Sequence, residues 1–363
     1  MNNSIAENIP IIKDLPVTAI AVDAMGGDLA PAEPVMGAAQ ATLESTAHVI
    51  LVGDEKRILD ILNETEYNAN QIEIIHTDEF ITNEDIPQQV IRKKPRASMI
   101  LAAKLCREGT AQGIVSAGNT GAYVLSASRY VPRIVGVRKT AIATVYPTHN
   151  AQGRNDHFSL LLDVGANIHC TTEDMVQFAL MGTIYTSDIK GIPDPTIALL
   201  NIGKESYKGG DMLSRVYKIL DKLPNINFIG NIEGNDIMKG LADVVVTEGY
   251  VGNIVMKTVE GIAESMSHLG RYAFKHRFIW RLGLIALSGG IKALKQVTDY
   301  SEYGGAPLLG FQNVVIKAHG RSKAKAITNA IKLAAKSCRY NICGKISKEI
   351  SQFESNTFIE DIK

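Results

Sequence analysis

Short apolar runs that end in glycine or small polar residues recur along the chain, and most of the stretches between them are patterned as helices. Such runs occupy 18–28 (TAIAVDAMGGD), 48–54 (HVILVGD), 72–78, 114–122 (IVSAGNTGA), 158–167 (FSLLLDVGAN), 196–204 (TIALLNIGK) and 227–236 (NFIGNIEGND). Alternation of strand and helix signals predicts an α/β fold built on a parallel sheet. Ligands of such sheets collect outside the carboxyl ends of the strands, so the loops at one rim are the expected cradle. The pattern is densest at 242–257. There Val244, Val245 and Val246 read as a strand buried on both faces, and the chain then turns through Gly249 and Gly252. Glycines permit positive φ and close backbone approach. A helix pattern follows with apolar Ile254, Val255, Val259 and Ile262. The free N–H groups of a helix start favour an anion, and Asn253 at that mouth can donate an amide hydrogen bond to a ligand oxygen. An N-capping asparagine between two turn glycines is the plainer alternative.

Composition narrows the class. The 363 residues carry 38 basic and 38 acidic side chains and are 45% hydrophobic, so no basic excess suggests nucleic acid. The four cysteines, Cys106, Cys170, Cys338 and Cys343, form no CxxC pair and read as reduced thiols of a cytoplasmic protein. Residues 1–16 lack the basic flank and apolar core of a signal peptide and are expected to be a flexible leader. No apolar window approaches the ~18 residues a membrane span needs.

One segment departs from this balance. Residues 267–296 contain Arg271, Lys275, Arg277, Arg281, Lys292 and Lys295 and no acid, around the apolar run FIWRLGLIAL that holds the single tryptophan. A helical pair breaking at Ser288-Gly289-Gly290 is expected to protrude, with Phe278, Trp280 and Leu284 entering an anionic membrane surface. A subunit interface or a core helix is the other reading.

Candidate chemistry sits in the turns. Asp23, Gly26, Gly27 and Asp28 close the first run, with Pro31 and Pro34 suited to a helix start. Two carboxylates without a third ligand do not make a metal site, and no metal is expected. The loop Ser116, Gly118, Asn119, Thr120, Gly121 is made of small side chains and lets backbone N–H groups surround an oxyanion. It lacks the Walker lysine and spacing, GxGxxG is absent, and Gly203-Lys204 is followed by Glu205. No nucleotide cofactor is therefore expected. Lys208 stands beside Gly209 and Gly210, where an ammonium can neutralise phosphate, although a surface lysine is the ordinary expectation. Arg92, Lys93, Lys94 and Arg96 form a cluster consistent with a solvated face or an acidic partner. The stretch 303–310 reads as a glycine turn, 313–317 as a strand, His319 as a hydrogen-bonded residue at its end, and everything after 345 as a polar tail.

Taken together, AVDAMGGD, VSAGNTGA, LLDVGAN, NINFIGN, ADVVVTEGYVGN, YGGAPLLG and IKAHG resemble the bacterial phosphate acyltransferase family, in order from Ala21 to Gly320. The resemblance implies a three-layer α/β/α domain akin to phosphotransacetylases and isocitrate-type dehydrogenases, spanning 17–345, with 267–296 as a protrusion and 346–363 as a tail. It implies a homodimer that transfers an acyl group from acyl carrier protein to inorganic phosphate for phospholipid synthesis. A membrane glycerol-3-phosphate acyltransferase is then an expected partner, and the location is cytoplasmic and peripheral to the membrane. The family's catalytic lysine falls on Lys208 and its asparagine on Asn253, with Asp23, Gly26, Gly27, Ser116, Gly118, Asn119, Thr120, Gly121, Asn167 and Gly252 around the substrates. The cluster Arg92, Lys93, Lys94 and Arg96 would dock the acidic carrier. Glu248 and Tyr250 stand where the family commonly has Asp and Phe, and Arg321 replaces a Ser.

Overall fold

A computed structural model describes residues 18–150, 157–276, 278–289 and 304–355. The expected leader, the end of the basic segment (290–296) and residues 356–363 of the tail lie outside the described residues. Strands and helices follow in the order β1 (Ala19–Asp23), α1 (Ala32–Glu44), β2 (His48–Gly53), α2 (Glu55–Leu62), β3 (Ile72–His76), α3 (Pro87–Lys93), α4 (Ser98–Arg107), β4 (Gly113–Ser116), α5 (Thr120–Tyr130) and β5 (Ala141–Pro147). Next come β6 (Phe158–Leu162), α6 (Thr172–Lys190), β7 (Thr196–Leu200), α7 (Gly210–Leu220), β8 (Asn227–Ile232), α8 (Gly234–Ile237), β9 (Val244–Val246) and α9 (Gly249–His276). The chain closes with α10 (Phe278–Ala286), β10 (Ala306–Leu309), β11 (Val314–Lys317), α11 (Ala324–Arg339) and α12 (Ile342–Ser355).

All eleven described strands form one sheet in the order β3-β2-β1-β4-β11-β10-β5-β6-β9-β7-β8. Both faces are covered, which is why β1, β2, β4, β6 and β9 read as unbroken apolar runs. Ile20, Val22, Val115 and Ile316 pack with α1 and α11, while Leu160, Leu162, Ile197 and Val244 pack with α6, α7 and α12 on the same side. The opposite side carries α4 and α5 over Ala21, Ile114 and Val315, and α9 over Leu161, Ala198 and Val245. The result is the expected three-layer α/β/α sandwich.

The sheet is not parallel throughout. From β3 to β11 the neighbours are parallel, as they are from β6 to β8. Between these halves the pairs β11–β10, β10–β5 and β5–β6 are antiparallel. Three successive reversals leave the two halves running in opposite directions. The carboxyl ends of β1, β4 and β11 therefore open on one edge, and those of β6, β9, β7 and β8 on the other. This corrects the expectation of a single rim. On the α5 and α9 side the apolar packing divides into two clusters, and Val164 touches both.

Two strands escaped the pattern. β5 is flanked by charged and polar residues rather than glycine, and β10 lies inside the run read as a turn. Gly304 and Gly305 do adopt positive φ (79° and 90°), but they deliver the chain into β10 instead of reversing it. The polar tail also begins later than expected. α12 buries Ile346, Ile350 and Phe353 against α6, so the packed unit continues to Ser355. Ile350→Ala should accordingly cost about 2–5 kcal/mol of stability. Chemical denaturation checks this, and a loss below about 0.5 kcal/mol would mean that α12 does not belong to the core.

Candidate active site

The first edge is organised by Asp23. In the strand registers, Asp23 follows Val22, which pairs with Val115, and Ser116 pairs with Lys317. Asp23, Ser116 and Lys317 thus form a row across three adjacent strand ends, on the side of the sheet that carries α4 and α5. The Asp23 carboxylate is buried and accepts the hydroxyl protons of Ser98 (2.6 Å) and Ser116 (2.7 Å). Burial pushes its pKa up, against the pull of those hydrogen bonds. Ser116 Oγ accepts the Gly118 N–H (3.0 Å). A side chain at Gly26 would strike the Asp23 carboxylate, and Gly27 has φ +109°. Asp23, Ser116 and the Gly118 N–H bond to one another and so shape the loop.

The neighbouring loop is more open. Asn119 caps α5, its side chain accepting from the Ala122 N–H (3.0 Å). Its amide oxygen is therefore spent. The backbone N–H groups of Asn119, Thr120 and Gly121 make no hydrogen bond among the described residues. Thr120 and Gly121 are exposed.

The second edge is organised by Asp163, which follows β6. Its carboxylate is fully buried and accepts N–H groups from Ile142 (3.0 Å), Gly165 (3.1 Å), Ala166 (3.0 Å) and Asn167 (2.8 Å). The Asn167 side-chain amide adds a fifth bond (2.8 Å) and also donates to the Thr140 carbonyl (2.7 Å). Both amide protons of Asn167 are thus committed to the loop. Burial raises the Asp163 pKa, partly offset by these donors.

α9 rests directly on this loop. A Cβ at Gly249 would collide with Asn167 and the Asp163 carboxylate, and one at Gly252 with the Asp163 carbonyl. Neither glycine has positive φ. They are helical and serve close approach, not a turn. α9 begins at Gly249, so Asn253 lies one turn inside and is not its N-cap. It sits against Gly165, whose added Cβ would be 3.4 Å from Asn253 Oδ1. The Asn253 amide is exposed and makes no hydrogen bond among the described residues.

Lys208 follows β7, adjacent to β9 on this same edge. Asn201 fixes its backbone by donating to the Lys208 carbonyl (2.9 Å), and Asn231 holds the Glu205 carbonyl (2.8 Å). Lys204 is drawn to Asp236 (3.2 Å), which Lys239 also pairs (2.7 Å). Lys208 Nζ stands 5.8 Å from the Tyr207 ring centre and has no ion pair among the described residues. The structure therefore groups Asn253 and Lys208 on one edge and Gly118 to Gly121 on the other. α9 runs between the edges, since the charges of Glu260 and Lys257 act on His319, just beyond β11.

Elsewhere, Lys94 is half-buried and paired with Asp85 (2.6 Å), which removes it from the proposed docking charges, whereas Arg92, Lys93 and Arg96 are exposed. Among the described residues no group of three or more His, Cys, Asp or Glu could hold a metal ion, and no helix is long and apolar enough to cross a membrane. Sequence reading missed Asp163 and Lys317 as organising residues. Both are charged residues closing an apolar run, and such positions are buried only when something holds the charge.

Comparison with known proteins decides the family. Residues 18–345 match the model of the family described as fatty acid synthesis protein. The phosphate acyltransferase of Dictyoglomus thermophilum is 46% identical over 92% of this chain and 98% of its own, and that of a Geobacillus species 42% identical over 93% and 99%. The chain belongs to the phosphate acyltransferase family. It is an acyltransferase. In fold, a phosphotransacetylase from Streptococcus pyogenes superposes with a TM-score of 0.60 at 18% identity, covering 89% of this chain and 94% of that one. A branched-chain phosphotransacylase from Enterococcus faecalis gives 0.52 at 14% identity, with 90% and 99% covered.

Within this acyltransferase, the departures at Glu248 and Tyr250 have visible surroundings. Glu248 Oε1 accepts the Cys170 N–H (3.2 Å), so the longer carboxylate ties α9's approach to the loop after Asp163. Tyr250 is largely exposed. Arg321 extends toward Asp28 (3.9 Å) on the first edge. The geometry makes Asp163 the support on which Asn253 depends. Asp163→Asn would set an amide against converging N–H groups, and leaving one such group unpaired costs about 1–3 kcal/mol. Stability should fall by that amount while Asn253→Ala leaves it within about 0.5 kcal/mol. Equal stability of Asp163→Asn and the unsubstituted protein in denaturant would contradict this account.

Proposed function

We propose that this acyltransferase moves an acyl group from acyl carrier protein to inorganic phosphate, at a site between the two sheet halves, and so supplies acyl phosphate for phospholipid synthesis. The observation that carries the reading is Asn253: an exposed amide without a protein partner, held at the second edge on a helix that reaches the first. A phosphate oxygen attacks the thioester carbonyl carbon, a tetrahedral oxyanion forms, and the C–S bond breaks to release the carrier thiolate. Phosphate is already anionic at neutral pH, so the task is positioning and charge relief. Lys208 and the open N–H groups of Asn119 to Gly121 hold phosphate, and Asn253 donates to phosphate or to the developing oxyanion. Arg92, Lys93 and Arg96 receive the acidic carrier, a role for rim charges that governs association.

The same reading assigns α9 and α10 to assembly. Their exposed apolar residues include Ile262, Met266, Leu269, Phe278, Ile279 and Trp280, beside basic Arg271, Lys275 and Arg281. A second copy of the chain covers part of α9, and the tip carrying Phe278 and Trp280 enters an anionic membrane surface, close to the membrane acyltransferase that uses the product. The side chain of Leu284 lies outside the described residues.

Incubation with acyl-carrier thioester should consume it only when phosphate is present, with product trapped as a hydroxamate, and acyl-CoA should be the poorer donor. Lys208→Ala and Asn253→Ala should each lower the rate about a hundredfold or more with the fold intact. Near-normal rates in both would remove these residues from the chemistry. Phe278→Glu combined with Trp280→Glu should release the protein from anionic liposomes in a flotation assay, and unchanged flotation would assign the tip to another interface.

A further inference from the structure

Lys317 is unusual in where it lies. It ends β11, flanked by Ile316 and Ala318, and only 8% of it is exposed. A buried ammonium costs several kcal/mol unless charge and hydrogen bonds compensate it. Its Nζ donates one hydrogen bond, to the Ala318 carbonyl, and no carboxylate lies within ion-pair distance among the described residues. Asp23, the acid in its row, is already occupied by Ser98, Ser116 and the Met25 N–H. Two N–H bonds of the ammonium therefore have no acceptor among the described residues. The position is also specific. Lys317 pairs in register with Ser116, two residues before Gly118 and three before Asn119, and Ala318 donates to the Ser116 carbonyl (2.9 Å). The lysine thus stands at the root of the loop whose N–H groups are open.

We propose that Lys317 binds the inorganic phosphate substrate, its ammonium completing an anion site with the backbone N–H groups of Asn119, Thr120 and Gly121. The inference rests on the reading that phosphate is the acyl acceptor and adds a residue that the lysine and asparagine of the second edge do not provide. Asp23 is the counter-charge that keeps the ammonium protonated while its oxygens, held by the serines, stay out of the anion's way. A lysine confined to one short strand end is a point charge of fixed position, which suits a small tetrahedral anion.

The charged surroundings are few. Asp23 on β1 and Asp28 after it pull Lys317 toward the charged form, while burial dominates and lowers its pKa to about 8. His319 and Arg321 follow on the same loop, Lys257 and Glu260 on α9 face His319, and Tyr123 on α5 is spent on the Ile114 and Ile316 carbonyls. None of these replaces the ammonium in the row.

The first test uses the unsubstituted protein. KM for phosphate should be flat from pH 7 to about 8 and then rise toward tenfold per pH unit as Lys317 loses its proton, with KM for acyl-carrier thioester unchanged. A phosphate KM that stays flat to pH 9.5 overturns the proposal. Lys317→Met, which keeps the apolar stem, should raise the phosphate KM about tenfold or more at pH 7, leave the donor KM within about twofold, and abolish the pH dependence. A Lys317→Met protein with unchanged phosphate KM, or with both KM values raised together, overturns it as well. Melting in phosphate against chloride at equal ionic strength gives a readout free of turnover: phosphate should raise the Tm of the unsubstituted protein at pH 7 and much less at pH 9.5. Absence of that difference overturns the proposal. Failure of the unsubstituted protein to form any acyl phosphate, with the Tm rise intact, would sink the functional reading and leave the phosphate site standing.

Discussion

The second edge depends on a single buried carboxylate. Asp163 gathers four backbone N–H groups and one side-chain amide, and those donors come from β5 and from the loop that follows β6. Bonds from N–H groups to an ionised acceptor are the stronger kind, and a site this dry makes each unmade one costly. The consequence reaches the next helix. Because the loop is pinned, α9 can press its backbone onto it, and only glycine fits at 249 and 252. Asn253 is therefore presented at a fixed height above Gly165 by packing, without any hydrogen bond of its own. An amide held in this way is available to a ligand and does not have to abandon a protein partner first. That is the arrangement expected of a preorganised donor.

The direction reversal in the middle of the sheet explains why glycine loops and helix starts stand on two edges. A wholly parallel sheet would place all of its helix starts on one side and leave the other without polar groups. Here the short antiparallel passage through β10 and β5 inverts the second half, so a helix rising from the second edge runs toward loops of the first. α9 is twenty-eight residues long and its charges at 257 and 260 act on His319.

Much of this was legible in the sequence, for physical reasons that also explain the remainder. Strands buried on both faces must be apolar throughout, so nine of the runs declared themselves, and the glycine loops marked their ends. β5 did not, because an antiparallel strand at the sheet centre needs no helical crossover or glycine exit, and β10 did not, because Gly304, Gly305 and Gly310 around it made its run read as a turn. The direction of pairing is a long-range property that periodicity does not encode, and it turned one expected rim into two. In the site, Asn253 and Lys208 were visible as residues beside glycines. The division of labour around them was not. Asp23, Ser116 and Asn167 look like ligand contacts in a string of letters, and folding shows a structural task for each: Asp23 holds two serine hydroxyls, and Asn167 ties Asp163 to the Thr140 carbonyl. Lys317 carried the opposite signal: a lone lysine closing the run VVIK, which reads as a strand end until burial shows that its charge has no local answer.

The cysteines bear on how an acyl group could be transferred. A cysteine nucleophile would divide the transfer into two steps, and Cys170 is the thiol nearest the second edge, its N–H bound to Glu248. Burial pushes that thiol up to about 11, against the pull of a hydrogen bond from Gly249. At neutral pH roughly one molecule in ten thousand would carry the thiolate, and no imidazole is bonded to it to supply a base. Cys106 is buried and Cys343 half-buried against the core, and desolvation pushes both up to about 12. Phosphate, by contrast, arrives ionised and needs only donors aimed at its oxygens. The protein has invested its polar geometry in open N–H groups, an unpaired amide and two lysines, and none of it in generating a nucleophile of its own. Direct attack by phosphate is the chemistry that such a distribution of groups can accelerate.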